Sequence, residues 1–412
     1  MRPTPSEFQD AWPRIVRALA SFTGSLDDGE EYAAEAVARA AAYDGPVDEL
    51  AAWCITVGKR AWLDEARRRA VHDRLAPELV TLATSPDVQE TAVDPTDPAR
   101  EGLDDRLALL FVACDEELSP SLQMVLALRV VCGLTTARIA HHLGIQESAA
   151  AARLTRAKTA LAAARGEFRT PDATERAARL PVVLACVAGM FTVAHRTVLD
   201  PVDALADTGR AALSIADALV AAYPHDTEVR GLRAVIRLGL ARRPGRLDTE
   251  GVALPMDEVD RRRWDVELWR GGLDDATFAM SGDGRFALEA AISGLHSHAA
   301  SVDGPDWVRL VTVYRALEER WPAPSVTVAR LVAEAHAVPA DDLPAVEEAL
   351  AELVEEAPAY AGRDAELALA DLEWRTGRQG EAAARYAALA EVLDVEPLRR
   401  FCLKRAGLGR LA

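Results

Sequence analysis

A chain of 412 residues with 65 acidic against 47 basic side chains has a formal charge of -18. That balance excludes a protein that coats nucleic acid indiscriminately, so any contact with DNA must be local. The length exceeds what one hydrophobic core usually holds, and roughly two to four domains are expected. Half the residues are apolar and only 5% aromatic, and strand-length alternation is rare, so the expected fold is all-α.

The first helices run from about Glu7 to Asp73, with Trp12, Ile15, Val16 and Leu19 recurring at helical spacing. Tyr43-Asp44-Gly45-Pro46 marks a turn. The next helix passes from Glu49 through Trp53, Val57, Ala61 and Leu63 to a basic end, Arg67-Arg68-Arg69, a charge that suits a helix C-terminus on dipole grounds alone. Residues 1–75 are expected to form one helical domain. The stretch 76–103, rich in proline, threonine, serine and acid, reads as a linker.

A second domain is expected over 104–168. An apolar helix from Leu122 to Val131 meets a break at Cys132-Gly133-Leu134, and a short helix then starts at a threonine cap and ends before Gly144. Gln146 to Ala164 forms another helix. Helix, glycine-containing turn, helix is the layout of a helix-turn-helix module, whose later helix can enter a major groove. From Arg129 to Arg169 seven basic residues face two acids, Glu147 and Glu167, which marks a local face for phosphate in an acidic chain.

Residues 169–412 read as a succession of amphipathic helices. Over 366–393, paired helices joined at a glycine, with small residues at their crossing and Tyr386 partway along the second, resemble a tetratricopeptide repeat.

Catalytic and metal chemistry is not expected. His141 and His142 are adjacent and point apart on a helix, and His296 and His298 are also poorly spaced for joint ligation. There is no phosphate-cradling glycine loop and no nucleophile elbow. The five cysteines are scattered, never in a C-x-x-C spacing, and are expected in the core. No stretch is long and apolar enough to span a membrane, and the N-terminus lacks a basic-then-apolar leader, so a cytoplasmic protein without a cofactor is expected.

Asp104-Asp105-Arg106-Leu107-Ala108-Leu109-Leu110-Phe111, Leu126-Ala127-Leu128-Arg129 and Gly133-Leu134-Thr135-Thr136-Ala137-Arg138-Ile139-Ala140 resemble the promoter -35 domain of the sigma-70 family. Within that family they are similar to the extracytoplasmic-function sigma factors with a tetratricopeptide-like C-terminal extension. Leu50-Ala51-Ala52-Trp53, Asp64 and Arg67-Arg68-Arg69 look like the helix that reads the -10 element. Arg179-Leu180-Pro181-Val182-Val183-Leu184, Arg243-Pro244-Gly245-Arg246-Leu247-Asp248 and Asp260-Arg261-Arg262-Arg263-Trp264 extend the resemblance into the C-terminal half.

The resemblance implies a non-enzymatic initiation factor. Its partners would be RNA polymerase core, through the β′ clamp and β flap, and promoter DNA, with a regulatory protein on the extension. It implies -35 contacts from Thr135, Thr136, Arg138, Gln146, Ser148, Arg153, Arg156 and Lys158, and -10 contacts from Lys59, Arg60, Trp62, Arg67, Arg68 and Arg69. Asp27, Asp28, Glu30, Glu31 and Glu35 would bind polymerase. Three departures stand out: four alanines at Ala149 to Ala152, which offer base edges no hydrogen bonds; an altered acidic stretch from Asp27 to Glu35; and Cys114-Asp115-Glu116 where many relatives show Cys-His-Pro. They also fit an alternative expectation, a sigma-like paralogue that has lost promoter recognition and serves as a protein-interaction module.

Overall fold

The computed structural model describes residues 3–45, 47–73, 103–197, 207–255, 258–298 and 306–407. It is 79% helical, with 18 α-helices and no strand among the described residues, as expected of an all-α chain. No helix among them is long and apolar enough to cross a membrane. The chain divides into two compact units, Met1–Ala194 with Pro201–Ala218, and His195–Asp200 with Leu219–Ala412.

The first unit holds α1 (Pro5–Thr23), α2 (Leu26–Ala42), α3 (Leu50–Asp73), α4 (Asp105–Ala113), α5 (Pro120–Val130), α6 (Thr136–Leu143) and α7 (Glu147–Arg165), with most of α8 (Ala173–Thr197) and the start of α9 (Thr208–Ala222). Thr4 and Glu7 close a reciprocal capping box on α1, with Pro5 opening its first turn and left-handed Gly24 (φ 72) ending it. Trp12, Ile15, Val16 and Leu19 are all buried, and α1, α2 and α3 pack on one another. Residues 76–102 of the expected linker lie outside the described residues.

The unit continues past residue 168, the expected end of the second domain, for a physical reason. Leu180, Val183, Leu184 and Val187 of α8 are buried, and Arg179 donates to the Phe111 carbonyl (3.0 Å) and to Asp115 (2.8 Å).

The second unit continues with α10 (Thr227–Arg242), α11 (Val266–Ala279), α12 (Arg285–His298), α13 (Trp307–Arg320), α14 (Pro324–Ala337), α15 (Leu343–Glu356), α16 (Ala359–Arg375), α17 (Gln379–Val392) and α18 (Glu396–Arg405). Each of these helices packs against the next. Leu331, Val346, Leu350, Leu369 and Leu372 make one apolar cluster; Ala370, Ala382, Tyr386, Leu389 and Cys402 make another. The pair expected around 366–393 is α16 and α17, joined at left-handed Gly377 (φ 83), with Tyr386 only 2% exposed. All five cysteines are buried and free.

Candidate nucleic-acid interface

The helix-turn-helix is built by local chemistry. Thr135 caps α6, its hydroxyl accepting the Arg138 N–H at 3.3 Å, and Gly144 (φ 62) ends the helix in the left-handed region. On α7, Ala150, Leu154, Ala157 and Leu161 form the buried stripe, spaced four, three and four residues apart as one helical face requires. That stripe packs α7 on α5 and α6.

Phase decides what the rest of α7 offers. Arg156 sits away from the stripe and is exposed, its guanidinium donating to the Ala152 carbonyl of its own helix (3.2 Å). Arg153 is half-exposed, and Gln146, Ser148 and Arg138 are exposed. Thr136 is half-exposed, and the Thr135 hydroxyl is engaged in the cap. Ala151 and Ala152 are exposed, Ala149 is half-exposed and Ala150 is buried, so one of the four alanines is a packing residue.

Lys158 departs from expectation. It flanks the buried stripe, because it follows Ala157 by one residue and Leu154 by four, and it turns inward to α2. Its ammonium lies 2.6 Å from Asp27 and 2.8 Å from Glu30, and the side chain is 16% exposed. Burial works against its charge, yet Glu30 and Asp27 outweigh burial and hold the ammonium above its ordinary pKa.

Glu30 likewise departs from a polymerase-facing role. Its side chain is 7% exposed and accepts from Arg129 at 2.5 Å as well as from Lys158. It lies among Leu26, Gly29 and Ala33 on the buried face of α2. Arg129 also donates to the Leu134 carbonyl (3.0 Å), and Trp12 donates to the Arg129 carbonyl (3.2 Å). Of the other acids expected to meet polymerase, Glu31 is exposed, Asp28 is half-buried in the first turn of α2, and Glu35 pairs with Arg39 along the helix.

The basic end of α3 is solvent-facing. Arg67 pairs with Asp64 (3.1 Å), Arg68 with Glu65 (2.9 Å), and Arg69 lies 3.6 Å from Glu65; exposed pairs of this kind contribute little and exchange readily. Arg60 is exposed. Trp62 sits edge-on to Phe22 with ring centroids 5.4 Å apart, and the Lys59 ammonium lies 5.0 Å over the same ring, where burial lowers its pKa. The structure therefore collects the -10 candidates on one helix and most of the -35 candidates on α6 and α7, and it removes Lys158 and Glu30 to an internal contact.

Sequence reasoning missed a second hub. Asp115, 1% exposed by its side chain, receives Arg165 at 2.8 Å and Arg179 at 2.8 Å. Burial opposes its charge, but Arg165, the Glu117 N–H and Arg179 keep the carboxyl below its usual range. The Cys114-Asp115-Glu116 departure is thus an anchor for two arginines.

A family model described as sigma-70, region 4, matches residues 109–161, and one described as a family of unknown function (DUF6596) matches residues 179–280. The chain is 34% identical over 328 residues to the uncharacterized protein R00370 of Rhizobium meliloti (strain 1021), covering 78% of this chain and 77% of that one. It is 30% identical over 161 residues to the ECF RNA polymerase sigma factor SigJ of Mycobacterium tuberculosis (strain ATCC 25618 / H37Rv), covering 38% of this chain and half the length of SigJ. No solved structure matches. The region 4 match contains α5, α6 and most of α7, the helices that make the helix-turn-helix. On this footing the chain belongs to the family of the Rhizobium meliloti protein and carries a sigma-70 region 4 match over residues 109–161, which is the part of it that is sigma-factor-like.

Proposed function

We propose that the chain is a cytoplasmic initiation factor of the extracytoplasmic-function type that directs polymerase core to promoters, with α7 reading the -35 element and α3 the -10 element. The observation that carries this reading is the outward side of α7: Gln146, Ser148, Arg153 and Arg156 stand exposed or half-exposed on the second helix of a helix-turn-helix, where groove contacts are made. Asp27, Asp28, Glu31 and Glu35 would meet the β′ clamp, the region 4 helices the β flap, and the tetratricopeptide-like extension over 169–412 a regulatory protein.

The compact first unit is then a resting form. Promoter elements named for positions about 25 base pairs apart lie roughly 85 Å apart along B-DNA. Here α2 packs directly on both α3 and α7, so α3 and α7 cannot reach both elements until α7 leaves α2. Lys158, a -35 candidate, is freed by the same movement. The Glu30 contact with Arg129 and Lys158 is the latch.

In vitro transcription with core polymerase tests both statements. The full-length chain should yield promoter-specific transcripts, and Glu30→Gln should raise the yield at limiting protein. No transcript from either form sinks the promoter reading. Unchanged yield from Glu30→Gln sinks the latch. The second reading, a sigma-like interaction protein, is favoured by the inward turn of Lys158 and the run of alanines from Ala149 to Ala152; failure of the chain to retain β′ in a pull-down would support it.

A further inference from the structure

The first unit contains a cavity of about 160 Å³ whose apolar lining none of the DNA or polymerase contacts above uses. Its apolar wall comes from Leu26 at the start of α2, Val112 of α4, Leu161 of α7, and Phe168 and Pro171 of the segment after α7. That segment is pinned across the cavity by the Phe168 N–H, which donates to the Gly24 carbonyl at 2.7 Å. The volume suits one aromatic ring, since an apolar protein cavity of about 150 Å³ accepts benzene.

Two guanidiniums of the lining carry carboxylate partners of different strength. Arg165 reaches Glu116, 75% exposed, at 3.0 Å, and Arg169, 52% exposed, holds both oxygens of Glu175 at 2.7 and 2.5 Å. The single contact to Glu116 is open to water and contributes little, so its exchange for a ligand carboxylate costs little, whereas the bidentate pair keeps Glu175 in place and leaves Arg169 to add a second, weaker attraction. Asp115 is buried and also stays on Arg165 and Arg179. The lining therefore offers an apolar body site beside one exchangeable cation, Arg165, with Arg169 next to it.

We propose that this cavity binds a small aromatic carboxylate, its ring among Leu26, Val112, Leu161 and Phe168 and its carboxylate on Arg165 and Arg169. The consequence rests on the resting-form reading. Asp27 and Lys158 line the same cavity and pair with each other, so a ring seated between α2 and α7 fills the space beside the latch and holds the unit shut. The ligand is an inhibitor of opening, recognised by size and by a single negative charge.

The probe is 4-fluorobenzoate titrated into the full-length chain and followed by fluorine NMR, with 4-fluorobenzyl alcohol as its uncharged counterpart. Saturable one-to-one binding is expected, with a dissociation constant on the order of a millimolar, the affinity a ligand of about ten non-hydrogen atoms commonly reaches. Ala162→Leu, at an exposed α7 position that lines the cavity, should weaken binding at least about tenfold without disturbing the fold. Arg169→Ala should weaken it severalfold, and the alcohol should bind about tenfold more weakly than the acid.

No saturation with the native chain, or equal binding by Ala162→Leu, overturns the proposal. The resting form fails separately: if Glu30→Gln leaves transcription unchanged while 4-fluorobenzoate still saturates, the site stands and the latch falls. If Glu30→Gln raises transcription and 4-fluorobenzoate does not bind, the latch stands and the site falls.

Discussion

Helices α7 and α10 carry the same basic signature and use it in opposite ways. On α7, Arg153 and Arg156 are three residues apart and reach no carboxylate among the described residues. On α10, Arg230, Arg233 and Arg237 are three and four apart and all converge on Asp275 of α11, at 3.0, 2.7 and 3.0 Å. Asp275 is 1% exposed. Spacing alone cannot separate the two cases, because i, i+3 and i, i+4 neighbours share a face in both. What separates them is the phase of the cations against the buried stripe, and whether the neighbouring helix supplies a buried acid. A basic stripe is a candidate for phosphate only where both conditions fail.

The strongest way to break that comparison is to remove the acid from the α10 cluster. Asp275→Ala leaves three guanidiniums around a site built for one carboxylate and should destabilise the second unit by about 3–5 kcal/mol, the usual cost of taking one partner from a buried ion pair. Chemical denaturation followed by helix content measures it. A loss below about 1 kcal/mol would mean that the cluster is well solvated and that α10 resembles α7 after all.

The latch is an intermediate case, cations drawn from a helix-turn-helix face onto a buried acid. Glu30→Gln keeps the shape and removes the charge, and should cost about 2–3 kcal/mol by leaving Arg129 and Lys158 half-buried beside a neutral amide. Combined with Lys158→Met in a double-mutant cycle, it should show a coupling of about 1–2 kcal/mol. Additivity of the two changes would show that the observed contact contributes nothing to the closed arrangement.

What was legible in the sequence follows the range of the interaction that sets it. The bounds of α6 and the start of α7 could be read because a threonine cap, a left-handed glycine and an apolar period are local signals. The latch could not, since Lys158 and Glu30 lie 128 positions apart and no spacing rule links them. One signal was present: Leu26, Glu30 and Ala33 fall on one face of α2, which sets a carboxylate in a buried row. The same phase test on α7 separates Lys158 from Arg156, although all its cations look alike in a count of charge. Asp115 was visible only as a departure from a resemblance, and its role depends on Arg165 and Arg179, which are 50 and 64 positions further along the chain.

In the second unit a partly buried base, paired with no acid among the described residues, extends the comparison to pH. His296 lies edge-on to Trp307 at 5.8 Å, and Trp307 stacks on His336 at 3.9 Å. Burial, then the charge of Arg242, then His336, lower the His296 pKa to about 4. The folded ring stays neutral while the unfolded chain takes up a proton near its ordinary value of about 6.5, so the unfolded state binds more protons in between. Stability should fall as pH drops from about 6.5 towards 4, by roughly 2 kcal/mol from this group. His296→Gln should flatten that part of the pH profile of denaturation midpoints, and an unchanged slope would assign it to carboxylates elsewhere.

The smallest effects on stability belong to the α7 face. Arg153→Ala and Arg156→Ala should each change stability by no more than about 0.5 kcal/mol, because neither holds a buried carboxylate. Their effect should appear in DNA binding instead. For each cation that neutralises one phosphate, the slope of log affinity against log salt should fall by about 1, uniformly across sequences for a backbone contact and selectively for a base contact. Arg233→Ala on α10 should do the reverse, costing stability and leaving the salt slope untouched. Salt titrations of promoter binding beside denaturation curves for the three variants thus test whether phase against the core sorts structural arginines from DNA-facing ones. A destabilised Arg156→Ala or a shallower slope for Arg233→Ala would show that it does not.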